Sequence, residues 1–147
     1  MKLQGLMAAV LALTAAGGAM AADVPTEYRA QLRGQLAAAE EIYRSEGYRQ
    51  VMGPEMDGLG QGAEESYSLT LRSGWTYQIL GVCDTDCSDL DLKIIDENGN
   101  TIAQDQLEDD APIVEVTPKW TGKFTLEVTM YRCKEAPCYY AVSVFGK

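Results

Sequence analysis

Residues 66–83, SYSLTLRSGWTYQILGVC, decide the fold. Tyr67, Leu69 and Leu71 alternate with Ser66, Ser68 and Thr70, the period of a strand with one buried face. Arg72-Ser73-Gly74 turns the chain, and Trp75, Tyr77, Ile79, Gly81 and Cys83 then fall on one side. Leu80 and Val82 give the other side apolar character as well. Downstream, Leu90, Leu92 and Ile94 form a third strand that closes at Glu97-Asn98-Gly99-Asn100, a strong hairpin signal. Short strands follow around Ile102 and from Ile113 to Thr117, then at Phe124, Leu126, Val128 and Met130, and finally at Tyr140, Val142 and Val144. About seven strands with regular turns over residues 63–147 predict a mainly β domain, an antiparallel β-sandwich. If consecutive strands run up and down, the connections at 84–89, 106–111 and 132–138 emerge at one pole.

Upstream, residues 53–62 hold four glycines and one proline and read as a linker. Residues 22–52 read as a helical segment. Tyr28, Leu32, Leu36, Ala39 and Tyr43 recur at steps of four, four, three and four and so share one face. That stripe packs onto the following domain or serves self-association and partner docking. Residues 1–21 have the form of a signal peptide: Lys2, an apolar run from Leu6 to Ala16, and small residues at Ala19 and Ala21. The run is too short for a membrane anchor, and no later segment spans a bilayer. The expected location is exported, periplasmic or extracellular.

Cleavage after Ala21 leaves 126 of the 147 residues, the size of one domain, and loss of Lys2 takes the net charge from −10 to −11. Nucleic acid and anionic membrane surfaces are repelled by this field, whereas cations and basic partners are drawn to it. Cys83, Cys87, Cys133 and Cys138 all lie in the mature part, and an even count in an exported chain reads as two disulfides. Local pairs Cys83–Cys87 and Cys133–Cys138 are favoured, with a cross-loop pairing open. Zinc is disfavoured by the ligand spacing and by the absence of histidine, and no C-x-x-C redox motif occurs.

The acidity is concentrated. Residues 84–110 carry ten carboxylates against Lys93 alone. Such a run is either a solvated rim or a cation site, and calcium, which takes carboxylate and carbonyl oxygens from flexible loops, is the fitting cofactor. Residues 84–89 begin like an EF-hand loop, but Asp89 stands where that loop needs glycine and Ile95 where it needs glutamate. The expected ligand set is Asp84, Asp86, Asp89 and Asp91, with Asp109 or Asp110 from the neighbouring loop.

Absence of histidine removes Ser-His and Cys-His nucleophile systems. No apolar flank separates the pKa values of two carboxylates as glycosidase or aspartic-dyad chemistry requires. The glycines at 58–62 lack the strand and helix of a phosphate loop. A non-catalytic binding module is the expected class. Trp75, Trp120, Tyr131 and Tyr139 are its candidate ligand-contacting rings, for a protein or polysaccharide.

Three stretches carry a family resemblance: Asp89-Leu90-Asp91-Leu92, the run from Pro118 to Val128 containing Gly122-Lys123-Phe124, and Tyr140-Ala141-Val142-Ser143-Val144. Over about residues 62–147 the chain resembles the bacterial pre-peptidase C-terminal domain. The resemblance implies a jelly-roll-like sandwich of secreted proteins, usually appended to peptidases, with roles in secretion or substrate binding, and some such domains bind calcium or matrix polymers. The chain departs from that pattern in its preceding helix, its two cysteine loops and its denser acidic loop. Two other classes stay open: a structural envelope protein associating through the helix without metal, and an accessory subunit of a hydrolase.

Overall fold

In the computed structural model, which describes residues 23–147, the first element is helix α1, Thr26–Ser45. The expected signal peptide, residues 1–21, lies outside the described residues. Glu27 in the first turn and Arg44 in the last complement the helix dipole. The helix ends sooner than the sequence pattern suggests, because Gly47 takes a left-handed φ of 89°. Its N–H donates to the Arg44 carbonyl at 3.1 Å and the Tyr48 N–H to the Tyr43 carbonyl at 2.9 Å, a Schellman cap. The rings of Tyr43 and Tyr48 close the cap edge to face at 5.6 Å.

The expected linker is instead a strand. Eight strands follow the helix: β1 Arg49–Leu59, β2 Glu64–Leu71, β3 Tyr77–Cys83, β4 Cys87–Ile95, β5 Thr101–Asp105, β6 Ile113–Val116, β7 Gly122–Cys133 and β8 Cys138–Gly146. Strand β1 pairs antiparallel with β8 from Arg49 opposite Gly146 to Leu59 opposite Cys138, with irregularities either side of Met52. Gly53 makes this pairing feasible. A Cβ there would sit 2.5 Å from the Val142 carbonyl oxygen, and its φ is 86°. Pro54 is tolerated because β1 is an edge strand.

The strands form two antiparallel sheets of four, in the orders β1-β8-β3-β6 and β2-β7-β4-β5. Every connection except the β4–β5 hairpin crosses between sheets, the order of a double-sheet jelly roll. Leu69, Leu71, Ile79, Leu90, Leu92, Leu126, Val128 and Val142 fill the space between the sheets. Tyr140 is wholly buried there, and its hydroxyl lies 2.6 Å from that of Tyr67. Burial, then the Tyr67 hydrogen bond, pushes the Tyr140 hydroxyl far above the usual phenol range.

Helix α1 adds a third layer on the outer face of the β1-β8-β3-β6 sheet. Leu32 and Leu36 are fully buried against Leu80, Val82 and Ala141. Tyr28 meets Tyr139 at 4.6 Å and Tyr43 meets Phe145 at 5.1 Å. β3 and β8 are therefore buried on both faces, which is why their sequences are apolar at consecutive positions. The helix stripe proposed for self-association is covered by the chain's own sheet. Among the described residues no helix is long and apolar enough to cross a membrane.

Candidate functional site

The three connections expected at one pole do meet there. The Lys134 N–H donates to the Asp86 carbonyl at 2.8 Å, and the Leu90 N–H to that of Asp109 at 3.0 Å. Arg132 bridges to Glu108 at 3.0 Å. Cysteines clip the same end in the local pairing, Cys83–Cys87 and Cys133–Cys138, with Cα separations of 5.9 and 5.8 Å. Cys87 and Cys133 are partners in the β4–β7 register, so the two clips lie side by side. Disulfides of this kind belong to a non-reducing environment.

The six carboxylates expected to share a cation have different tasks. Asp84 is 2 % exposed and fully engaged. Its Oδ1 accepts the N–H groups of Asp86 and Cys87 at 3.0 and 3.2 Å, and Oδ2 accepts that of Tyr139 at 2.9 Å. It is thus a staple between the β3–β4 connection and the start of β8. Asp109 accepts the Ala111 N–H at 3.0 Å and shapes its own turn. Asp86 is half-buried and Asp110 exposed on the rim. Asp89 and Asp91 stand together in the wall of a cleft of about 270 Å³, with Gln106, Glu108 and Tyr131. Among the described residues no three acidic or sulfur-bearing side chains converge at a spacing that would hold a metal ion.

Asp89 is 3 % exposed, and its Oδ1 has no hydrogen-bond partner among the described residues. An unsatisfied buried polar group costs about 1–3 kcal/mol, and more when charged. Burial raises the Asp89 carboxyl above the usual carboxylate range. The Arg132 guanidinium opposes that rise, and Glu108 and Asp109 add to it. Asp91 is raised by burial and by Asp89 and Asp105, against Lys93. Lys93 itself is engaged by Glu127 at 2.6 Å across the β4–β7 pair.

The four candidate rings also separate. Trp75 stacks on Tyr77 at 6.1 Å beneath the Arg72 guanidinium and plugs one end of the core. Tyr139 is half-buried under the helix. Tyr131 is 54 % exposed in the acidic cleft, with Arg132 over its ring at 6.0 Å. Trp120 is 40 % exposed and stacks on Phe124 at 5.7 Å. Its indole walls a separate open cleft of about 430 Å³ with Ile102, Pro118, Thr117, Lys119 and Glu115. Asp96 borders that cleft and holds the β4–β5 hairpin, accepting the Asn98 and Asn100 N–H groups at 2.9 Å each. Hydrogen bonding by Asn100 lowers its carboxyl below the usual range.

Sequence reasoning missed the neighbours of each exposed ring. Phe124 of β7 stacks on Trp120 and Ile102 of β5 lines the same cleft, while Gln106 and Glu108 of the β5–β6 connection line the cleft of Tyr131. Glu108 lay within the acidic run, but only the fold shows that it faces Asp89. No protein-family model matches the chain, and no curated protein matches it in sequence.

Proposed function

We propose that the chain is a non-catalytic binding module working outside the cytoplasm, and that the Trp120 cleft is its ligand-contacting surface. The observation that carries this reading is the exposed indole of Trp120, backed by Phe124, in an open cleft with mixed apolar and polar walls. Ligand sites combine an apolar lining with a few placed polar groups, and a flat exposed ring stacks on the face of a sugar. Thr117, Lys119 and Glu115 add hydroxyl, ammonium and carboxylate groups to the same cleft, the first and last held by Thr76 and Gln78. The net charge of −11 after signal removal disfavours anionic polymers, so the ligand class is a neutral polysaccharide. The resemblance to the pre-peptidase C-terminal domain supports the same class, an accessory module that holds a polymer rather than cleaving it.

Native gels cast with soluble neutral polysaccharides test this reading. The protein is expected to be retarded by at least one of them, and Trp120→Ala, with its melting midpoint checked, to run unretarded. Equal retardation of the two proteins places the ligand elsewhere. No retardation on any neutral polymer removes the polysaccharide.

A further inference from the structure

The acidic cleft at the cysteine-clipped pole has its own unmet requirement, independent of Trp120. Asp89 is buried in its wall with one carboxylate oxygen unpaired among the described residues. Neither nearby base meets that need. Arg132 is directed to Glu108 and the Tyr131 ring, and Lys93 to Glu127. The described residues thus supply no donor for that oxygen. An organic cation fits the cleft. Its several N–H donors suit a cleft lined by the acceptors Asp89, Asp91 and Gln106, and the half-exposed Tyr131 ring offers a face on which such cations rest. The chain's own Arg132 shows the chemistry at the rim, a guanidinium held between the Glu108 carboxylate and the Tyr131 ring.

We propose that the cleft formed by Asp89, Asp91, Gln106, Glu108 and Tyr131 binds an organic cation, a primary ammonium or guanidinium group, with Asp89 as the principal acceptor. The group arrives either on a free amine or on a lysine or arginine of a basic partner segment, and the negative field of the chain draws both.

Titration calorimetry of the purified protein tests this with spermidine, with a short lysine-rich peptide, with the same peptide acetylated on its lysines, and with calcium chloride. At least one of the two cationic organic probes is expected to bind at one site per chain, and the acetylated peptide not to bind. Binding of spermidine alone assigns a free amine, and binding of the peptide alone assigns a partner segment. Asp89→Asn, nearly isosteric, should weaken binding at least tenfold, and Tyr131→Ala should weaken it as well. Glu41→Gln, which removes one exposed charge on the helix, should leave it within twofold. Equal losses in Asp89→Asn and Glu41→Gln would reduce the effect to diffuse charge and overturn the site. Binding of neither cation overturns it too, as does one-site calcium binding that Asp89→Asn abolishes and that excludes spermidine.

Discussion

Asp84 and Asp89 stand five positions apart in one acidic run, equally buried, and their chemistry is opposite. Asp84 accepts backbone N–H groups at both oxygens, from the turn into β4 and from the start of β8. Asp84→Ala leaves those donors unsatisfied and is expected to lower stability by about 1–3 kcal/mol, read from the urea midpoint. Asp89 has an oxygen with no partner among the described residues and a raised carboxyl pKa. The folded state thus holds the Asp89 proton more tightly than the unfolded chain does. Its effect on stability is unfavourable at neutral pH and fades as pH falls through the raised value. Asp91 acts in the same sense, whereas Asp96, whose pKa is lowered, contributes stability that is lost below the ordinary carboxylate range. Asp89→Asn should accordingly raise the melting midpoint at pH 7, with a gain that shrinks as pH drops toward about 4. A gain independent of pH, or a loss at pH 7, contradicts this account of Asp89. Residue type and spacing placed both aspartates in one run, but which of them the backbone would occupy depends on contacts more than 40 residues distant in the chain.

At the scale of elements, the readable ones had a single clear period. The stripe from Tyr28 to Tyr43 and the alternation from Tyr67 to Leu71 each have one buried face, and both formed as their periods predict. Strand β1 was hidden because Gly53, Pro54 and Gly58 interrupt its alternation, and its strand partner among the described residues, β8, is far along the chain. The helix is held by Leu32 and Leu36 on the outer face of the sheet, so Leu36→Ala should cost about 2–5 kcal/mol in the same urea assay. Gly47→Ala forces a side chain into the left-handed region of the cap and should cost about 1 kcal/mol. Because the stripe is covered, Leu36→Ala should destabilise the fold at every protein concentration. A loss confined to high concentration would point to helix-mediated association instead.

Over the whole molecule, the positions of the two proposed binding clefts are set by where the jelly roll brings its connections. The strand missed by sequence reading precedes all the others, so the alternation of the later connections was unaffected and the shared pole was legible in advance. The exposure of the rings was not. Trp75 and Trp120 are the same residue type at strand margins, yet one plugs the core and the other walls an open cleft. That contrast also supplies the test of the central claim, that this is a binding module acting through Trp120. In a Trp75→Phe variant, Trp120 is the sole indole, and its fluorescence reports the cleft alone. Acrylamide should quench it readily in the free protein and much less once the neutral polysaccharide that retards the protein in native gels is added. Quenching that is unchanged by that polysaccharide would contradict the account.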